Sequence, residues 1–585
     1  MHSLPSTLEE TYDRILRKIP KRHRVNVVKL LKWLAFSARP LALVEIVETF
    51  TIGQAQGDTI LRFDPDRRPR ESRMPILDIC SGLIALSHRK DSYSLYRLPE
   101  PALEYGTLTL AHLSVKEYLI SEDLRNSESS SSYYYLDKKL ADSAISCDCL
   151  AYLLQFNTLD CLCGQSKVAI SFGRYAAEFW ITHARSDDGI IQNNVQQLAA
   201  RLLSSSSVHF NNWITLFNVD GGYPRYSLES SYNVPHPLYY ASLLGLSQVV
   251  NELVLSSALT NVNLVGGRYG SALGSASASG HKKVVQILLA KGADVNMAGV
   301  KDGNALELAS ANGHQEVVQI LLGNGIDVNM AGGYYGSALA SASVNGRKEV
   351  VQILLENGAD VNMVGGTYGS ALASAAANGH KEVVRLLLET GADVNITGGH
   401  DGSALASASD YGHKEVVQLL LKTGANVNMV GGYYGSALAS ASTRGRKEVV
   451  QILLEHGADV NIAGGYHGSA LASASAVGDQ EIVQILLEKG ANVNMAARYG
   501  SALALASARG YKEVVQTLLK KGADVHSLGG GNPLRLASAN GHLDVVRILL
   551  DHGANVSSNH EDAMKRAREE SERFGQLLLD RPNDY

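Results

Sequence analysis

The stretch that decides the fold is residues 369–396, which read GSALASAAANGHKEVVRLLLETGADVNI. Ser370 is placed to cap a helix of small Ala and Ser side chains, and Gly379 is placed to end it. Residues 381–388 then repeat Val and Leu at the spacing that gives a helix one broad apolar stripe. Gly391 is expected to end this second helix in the left-handed conformation. The stretch therefore predicts two short helices joined by a tight turn.

The same phrase recurs through the second half of the chain. The Leu of its Ser-Ala-Leu segment falls at Leu273, Leu306, Leu339, Leu372, Leu405, Leu438, Leu471, Leu503 and Leu534. Successive spacings are 33 residues except for the last two, which are 32 and 31, and Leu238 opens a degenerate tenth unit 35 residues before the first. A fixed period of this length is typical of a solenoid of helix pairs. The sequence thus predicts a mainly α fold with about ten repeats.

These residues resemble the ankyrin repeat. The resemblance lies in Gly-His-Lys-Glu-Val-Val at residues 379–384 and Gly-Ala-Asp-Val-Asn at 391–395, and it extends over residues 235–556. It implies an ankyrin-repeat solenoid that binds proteins. The chain departs from the family where Thr-Pro-Leu-His becomes Ser-Ala-Leu-Ala, as at residues 337–340. Because the missing His removes a tether between repeats, we expect stacking to depend more on apolar burial.

Each unit also predicts a hairpin-like finger, since a Gly-Gly turn such as Gly398-Gly399 reverses the chain. At the finger, the residue two before each Gly-Ser/Asn-Ala-Leu phrase changes while the surrounding scaffold positions recur. We call these eight residues the fingertip row: Arg268, Lys301, Tyr334, Thr367, His400, Tyr433, Tyr466 and Arg498. The next position is usually Tyr (Tyr269, Tyr335, Tyr368, Tyr434 and Tyr499), with Asp302, Asp401 and His467 as exceptions.

Tyr and Arg are favoured at protein interfaces because they offer a large contact area with a polar group. We therefore predict that the fingertip row binds a protein or peptide along one edge of the concave face. The alternative is drift at exposed loop tips, with the Tyr rings packed on the neighbouring finger. This alternative explains the recurring Tyr, but not the preference of the variable position for Tyr, Arg, Lys and His.

The end of the chain is expected to cover the last repeat, because repeat arrays need polar ends. Residues 557–585 contain the charged stretch HEDAMKRAREESERFGQLLL at positions 560–579, which predicts a C-terminal capping helix. Acidic and basic residues alternate there. We therefore prefer this interpretation to a basic tail that binds nucleic acid.

The first half predicts a winged-helix-like region over residues 1–125 and a helical linker region over residues 126–234. Capping boxes at Ser6–Glu9 and Ser114–Glu117 each predict the start of a helix. The first expected helix starts at the first capping box and runs to about residue 19, and further helices are expected over 25–36, 41–50 and 76–82. Three β-like runs follow at 83–87, 93–98 and 107–111. In the linker region, helices are expected at 141–154 and 174–183.

A second resemblance covers about residues 1–185. It is carried by LEETY at 8–12, WLAFSARPL at 33–41, ILDIC at 76–80, AHLSVKEYL at 111–119 and YAAEFW at 175–180. These phrases are similar to the region after the NTPase module in fungal NACHT–ankyrin proteins, the NOD-like receptors of filamentous fungi. The resemblance implies a winged-helix and helical arm that restrains a nucleotide-dependent switch. It also implies a full-length NACHT relative as a possible partner.

The chain contains no Gly-x-x-x-x-Gly-Lys-Ser/Thr loop that could hold nucleotide phosphates. We therefore expect no ATPase or GTPase activity, and the resemblance implies that the chain begins where the NTPase module would end. A hydrolase is also disfavoured, since no Gly-x-Ser-x-Gly motif is present. His281, His314, His380 and His413 recur at one repeat position, which indicates a requirement of the fold. We expect no catalytic residues and no cofactor.

Three further groups have a chemical and a structural interpretation. His112 matches a winged-helix His that can touch a bound nucleotide in related ATPases, but without a phosphate site we expect a half-buried structural role. Cys147 and Cys149, like Cys161 and Cys163, are too closely spaced for a typical zinc site, so we expect buried thiols and no metal. Residues 1–40 hold nine basic and three acidic side chains, which we expect to form a solvated face in preference to a DNA-binding one.

Composition narrows the class of protein. The chain has 585 residues, 53 basic and 58 acidic side chains, and thus a net charge of −5, which argues against a general nucleic-acid binder. Five Cys indicate a reducing compartment. No apolar run is long enough to span a membrane, and the first residues lack a signal-peptide pattern. We expect a cytoplasmic protein, with the nucleus left open.

Two functions remain open from the sequence. One is the sensing or regulatory part of a fungal NOD-like receptor in non-self recognition. The other is a general ankyrin adaptor, and a winged-helix DNA-binding regulator is a less favoured third. Either of the first two is a non-enzymatic scaffold for protein–protein interaction.

Overall fold

The chain divides into an N-terminal unit, residues 1–267 with 290–292, and an array unit, residues 268–289 with 293–585. The computed structural model describes residues 7–54, 61–69, 75–87, 106–156, 167–185, 191–204, 208–220, 234–256, 261–297, 303–495, 500–527 and 531–555. Helices form most of the described part of both units, which confirms the predicted mainly α fold.

The N-terminal unit contains ten α-helices before the first repeat within its described residues. They are α1 (Leu8–Arg17), α2 (Arg24–Phe36), α3 (Leu43–Thr49), α4 (Pro75–Ile79), α5 (Leu113–Leu119), α6 (Glu122–Arg125), α7 (Lys138–Leu153), α8 (Lys167–Ala184), α9 (Asn193–Leu202) and α10 (Val208–Leu216). The strands are β1 (Leu41–Ala42), β2 (Ile52–Gln54), β3 (Leu61–Phe63), β4 (Ile84–Ser87) and β5 (Thr107–Leu110). The helices predicted at 141–154 and 174–183 correspond to α7 and α8.

The short sheet corrects one predicted helix boundary. The helix expected over residues 41–50 begins only at Leu43, because Leu41 and Ala42 pair with β5 in a three-stranded antiparallel sheet of order β1-β5-β4. The Leu43 amide still donates to the carbonyl of Gly106 at 3.1 Å, so pairing continues into the first helical residue. The run predicted at 93–98 lies outside the described residues.

Two predicted caps were also wrong. Helix α1 is capped by Thr7, whose hydroxyl accepts from the Glu10 amide at 3.2 Å, whereas the predicted cap Ser6 lies outside the described residues. Helix α5 is capped by His112, whose Nδ1 accepts from the Ser114 amide at 3.2 Å. His112 is exposed and not half-buried as expected. Ser114 instead places its hydroxyl 2.7 Å from the Tyr12 hydroxyl, which ties α5 to α1.

Aromatic rings form the core of the N-terminal unit. Trp33 of α2 contacts Phe172 of α8 at a ring-centroid distance of 5.6 Å, and Tyr152 of α7 contacts the same Phe172 at 4.7 Å. Edge-on and tilted ring contacts of this kind stabilise beyond the area they bury. The buried Glu48 is satisfied by the Tyr152 hydroxyl at 2.9 Å and by Arg68 at 2.8 Å. The core thus joins α2, α3, α7 and α8.

The repeats consist of ten helix pairs within the described residues. Their first helices are Pro237–Leu243, Ala272–Ala278, Ala305–Asn312, Ala338–Val344, Ala371–Ala377, Ala404–Tyr411, Ala437–Thr443, Ala470–Val477, Ala502–Arg509 and Pro533–Ala539. Their second helices are Ser247–Leu255, Lys282–Ala290, Gln315–Gly323, Lys348–Glu356, Lys381–Glu389, Lys414–Lys422, Lys447–Glu455, Gln480–Glu488, Lys512–Lys520 and Leu543–Asp551. The first pair belongs to the N-terminal unit.

The stretch at 369–396 folds as its sequence predicts. Ser370 caps the first helix, and its hydroxyl accepts from the Ala373 amide at 3.1 Å. Gly391 follows the second helix with a φ of 95°. Residues other than Gly rarely adopt this left-handed backbone conformation. Leu387 is completely buried. First helices pack on first helices along the array unit, because their Ala and Ser side chains allow close approach.

Polar tethers join successive repeats of the array unit, in addition to the apolar burial that we expected. Asn362 accepts from the Asp393 amide of the next repeat at 2.7 Å and donates to the Gly391 carbonyl at 3.4 Å. The same pair of bonds recurs from Asn296 to Asn494. His380 places its Nε2 3.1 Å from the Val344 carbonyl of the preceding repeat. These bonds supply a tether where the family His is missing.

The capping helix predicted within 557–585 lies outside the described residues, which end at 555.

Candidate protein-interaction surface

The fingers of the array unit are short antiparallel hairpins. Val364 and Gly365 pair with Ser370 and Gly369, and the next finger pairs in the same register one repeat later. Glycine is needed there because adjacent fingers touch through their backbones. A Cβ on Gly399, whose φ is 67°, would lie 2.2 Å from the carbonyl carbon of Tyr368. The sequence therefore folds locally into closely spaced fingers.

The structure brings five members of the fingertip row into one hydrogen-bonded ladder. The amides of Thr367, His400, Tyr433 and Tyr466 each donate to the carbonyl of the row member one repeat earlier, at 3.2, 2.9, 2.8 and 2.7 Å. The ladder therefore starts at the Tyr334 carbonyl and fixes the spacing of the tips. Lys301 and Arg498 lie outside the described residues. Arg268 is exposed, and its guanidinium lies 5.5 Å from the centre of the Tyr269 ring.

Three side chains of the row stack on one another. The His400 and Tyr433 rings are 5.1 Å apart, and the Tyr433 and Tyr466 rings are 5.0 Å apart, both nearly parallel. Ring packing between fingers, which the alternative interpretation expected, is therefore present. Yet Tyr334, Tyr433 and Tyr466 remain 60%, 42% and 38% exposed. The stack orients the Tyr433 and Tyr466 rings, Tyr334 packs edge-on against Tyr335, and all three tyrosines keep surface available for contact.

The position after each tip lies deeper. Asp401 and His467 are buried, and the Asp401 carboxylate lies 2.8 Å from Nδ1 of His400. The Tyr335 and Tyr368 rings stack at 6.5 Å. The residues directly after the fingertip row therefore pack beneath the row and help to hold its side chains in place.

The ends of the first helices extend the same surface. Tyr411 is 43% exposed and Val477 is 37% exposed, and each stands directly before the Gly that ends the helix turn. Arg444 occupies the same repeat position, where Asp410 holds its Nε at 3.0 Å and the Tyr434 ring lies 5.8 Å below it. Burial raises the pKa of the Asp410 carboxyl. An aromatic, a cationic and an aliphatic side chain thus occupy this position in three successive repeats.

The opposite, second-helix side of the array differs in character. Ion pairs join successive second helices there, including Lys414–Glu448 at 3.0 Å and Lys447–Glu481 at 2.6 Å. Among the described residues of the array unit, the exposed large apolar side chains are Tyr334, Val364, Tyr411, Val430, Tyr433, Tyr466, Val477 and Leu543, and only Leu543 belongs to a second helix. Exposed apolar side chains that cluster on one side indicate a contact surface.

One buried carboxyl in this region was missed by the sequence analysis. Glu307 stands in a first helix where most repeats carry Ala, and it is 1% exposed. Its Oε1 accepts from Asn304 at 2.8 Å, while Oε2 has no hydrogen-bond partner among the described residues and lies against Gly333 of the next finger. Burial raises the pKa of this carboxyl to about 7. The signal available in the sequence was one acidic residue at a position of small side chains.

The remaining described His and Cys residues that the sequence singled out are held by contacts within the fold. His314, His380 and His413 each place Nε2 within hydrogen-bond distance of a carbonyl of the preceding repeat, as a recurring fold requirement predicts. Cys147 and Cys149 are buried free thiols, and burial raises the pKa of Cys147 to about 12. Cys161 and Cys163 lie outside the described residues. The described part of the chain contains no cluster of side chains suited to a metal ion.

Comparison with known proteins identifies the array. Overlapping segments that together span residues 238–584 match the family described as ankyrin repeats (3 copies). The chain belongs to the ankyrin-repeat family. Its array makes it a scaffold for protein–protein interaction.

Two individual proteins are also similar. The azaphilone pigments biosynthesis cluster protein L of Monascus ruber is 35% identical over 307 residues, which cover 50% of this chain and 61% of that protein. The alignment therefore spans less than two thirds of the relative. The ankyrin repeat domain of human ASB11 is 27% identical, covers 38% of this chain and 99% of its own, and has a TM-score of 0.33.

Within the described residues, no helix has both the length and the apolar character needed to cross a membrane.

Proposed function

We propose that this protein is a non-enzymatic scaffold whose fingertip row and first-helix ends grip an extended segment of a protein partner. The observation that carries the proposal is the ladder from Tyr334 to Tyr466. It holds a variable, half-exposed set of side chains at a constant spacing. A peptide that runs across the fingers, on the concave face, would meet one such side chain in every repeat.

The matched test compares two triple variants. The first replaces Tyr334, Tyr433 and Tyr466 by Ser on the fingers, and the control replaces Lys381, Lys414 and Lys447 by Ser on the second helices. Peptides are first selected from a displayed random library against the wild-type chain, and their dissociation constants are then measured for all three proteins.

We expect the finger variant to bind about tenfold or more weakly, since interface tyrosines commonly contribute more than 1 kcal/mol each. The control is expected to bind as the wild type does. Thermal melting of each variant checks that the fold is intact. Equal affinity for a folded finger variant would remove the fingertip row from the binding site.

For the biological setting we propose the sensing or regulatory part of a fungal NOD-like receptor, acting in the cytoplasm beside a full-length NACHT relative. The proposal is supported by the ordered series of phrases from residue 8 to residue 180, and by the presence of α2, α3, α4 and the β1-β5-β4 sheet, the kinds of element that a winged-helix-like region would contain. The proposed division remains 1–125, 126–234, 235–556 and 557–585. Sequencing of transcripts from the 5′ side of the gene tests this setting. An in-frame phosphate-binding loop supports the receptor, and its absence from every transcript favours the alternative below.

A general ankyrin adaptor is the second candidate. It is favoured by the family match, which covers the array and not the region before it. The adaptor would use the same finger surface, so the variants above test both settings equally.

A further inference from the structure

A cleft of about 740 Å³ opens in the N-terminal unit. Helix α2 forms one wall, and the β2–β3 hairpin and α7 contribute the others. Its apolar lining includes Val28, Phe50, Ile52, Leu61 and Tyr133. A cleft of this volume with mostly apolar walls and a few polar groups is typical of a site for a small organic molecule.

The charged groups of the cleft are mainly cationic. Lys29, Lys32 and Arg67 line it together with one acidic residue, Asp148. Two protein groups already occupy the Asp148 carboxylate: Lys29 lies 3.2 Å from it, and the Trp33 indole N–H donates to it at 3.2 Å. Lys29 also donates to the Ile52 carbonyl at 2.9 Å. Lys29 and Asp148 therefore act as a brace across the cleft.

Lys32 lines the same cleft but does not take part in the contacts between Lys29 and Asp148. It is half-buried, and it makes no hydrogen bond or ion pair with any described residue. Its pKa is lowered by burial, while the nearby Asp148 acts in the opposite direction. A partly buried ammonium without a bonded partner is costly, and an incoming anion would remove that cost. Arg67 is less available, because it lies 3.2 Å from Asp64 and packs across Gly53.

The shape of the cleft selects among anions. Nucleic acid would need a row of exposed cations along a phosphate backbone, whereas here a single uncommitted cation faces apolar walls. A nucleotide would bring several negative charges, whereas Lys29 and Arg67 already contact carboxylates and only Lys32 is left to pair with an anion. A monoanion with an apolar body matches both the charge and the lining.

We propose that this cleft binds a small organic acid, whose carboxylate pairs with the Lys32 ammonium and whose apolar body lies against Phe50, Ile52 and Leu61. The cleft shares no residue with the finger surface, so its test does not depend on the function proposed above.

The probe is 1-naphthoate, an apolar ring system with one carboxylate, titrated into the full chain by calorimetry. Its uncharged analogue 1-naphthamide and ATP serve as ligand controls. The protein variants are Lys32→Met, the charge-retaining Lys32→Arg, and Lys18→Met as a matched control on the exposed end of α1.

We expect saturable binding of 1-naphthoate by the wild type and by Lys18→Met. Binding is expected to weaken about tenfold or more in Lys32→Met and with 1-naphthamide, because a charge-assisted hydrogen bond is lost. Lys32→Arg is expected to retain most of the affinity even if Lys32→Met folds poorly. ATP is expected not to bind.

Two results would overturn the proposal. One is no saturable binding of 1-naphthoate by the wild type up to millimolar concentration. The other is equal affinity for 1-naphthoate and 1-naphthamide, which would show that the ammonium of Lys32 does not recognise the acid.

Discussion

Glu307 is a residue at which the array departs from its own pattern. Most first helices place a small side chain at this position, whereas Glu307 places a carboxyl against Gly332 and Gly333 of the next finger. Asn304 satisfies one of its oxygens. Because burial disfavours the charged form, this carboxyl links the stability of two neighbouring fingers to pH.

Glu307→Gln is predicted to change how stability depends on pH. Burial raises the folded-state pKa to about 7 from the ordinary 4.5, so the folded chain holds this proton more tightly than the unfolded chain. The wild-type free energy of unfolding should therefore fall as the pH rises through this window and then level off. Relative to the wild type, the Glu307→Gln variant should gain on the order of 3 kcal/mol between about pH 4.5 and about pH 8.

Urea unfolding followed by circular dichroism at both pH values measures this difference. Glu316→Gln is the control, since Glu316 lies in the same repeat on the exposed second-helix side and pairs with Lys282. An effect of Glu307→Gln that is the same at both pH values would contradict the buried, proton-binding role of Glu307.

At the residue scale, the sequence predicted the recurring His of the second helices as a fold requirement but not its partner. The partner is a carbonyl 36 residues earlier, as in His380 to Val344. That distance in sequence depends on the offset between stacked repeats, which no single repeat encodes. The hydrogen bonds between Asn and Asp of successive repeats could not be predicted for the same reason, since they too depend on the offset between stacked repeats.

At the element scale, the second helices hold the repeats together through one fully buried Leu and two fully buried Val. In the repeat at 369–396 these are Leu387, Val383 and Val384. The first helix contributes mainly methyl groups and hydroxyls, so it offers little apolar area of its own. The stability of each repeat should therefore depend most on the second-helix side chains.

Leu387→Ala is predicted to cost ~2–5 kcal/mol in the free energy of unfolding, because it leaves a cavity between stacked helices. Leu386→Ala removes the same atoms from a half-buried position of the same helix and should cost clearly less. Chemical denaturation of the two variants gives the comparison. Equal losses would show that the burial of Leu387 does not govern the packing.

Helices and strands were predicted best in the repeats, where the same sequence pattern recurs. They were predicted least well where a segment contacts residues far away in the sequence. The helix pairs followed from the spacing of Gly and Leu, and their caps followed from Ser, as at Ser370. In contrast, Leu41 and Ala42 form a strand because β5 lies beside them, and β5 is more than sixty residues away in sequence. His112 replaced Ser114 as a cap because Ser114 contacts Tyr12 of α1. Both errors come from tertiary contacts.

At the scale of the whole molecule, the described residues form two units of different chemistry. The array unit stacks nearly identical helix pairs, and its exposed apolar side chains lie almost entirely on the fingers and first-helix ends. The N-terminal unit has an aromatic core and a cationic cleft. The sequence predicted the fingertip row as a set, whereas its backbone ladder and its ring stack required the structure.

The purified chain is predicted to bind neither ATP nor GTP, because its sequence contains no Gly-x-x-x-x-Gly-Lys-Ser/Thr motif for their phosphates. Isothermal titration calorimetry with each nucleotide and Mg²⁺ measures this directly. Saturable binding in the micromolar range would show that some other part of the chain holds nucleotides.

The most direct test of the finger surface is site-specific photocrosslinking to a peptide selected on the wild-type chain. Benzoylphenylalanine is placed at Tyr433 on a fingertip or at Lys447 on the second helix of the same repeat. We expect the peptide to crosslink to position 433 and not to position 447. Crosslinking at position 447 alone would place the partner on the second helices and rule out the finger surface as the binding site.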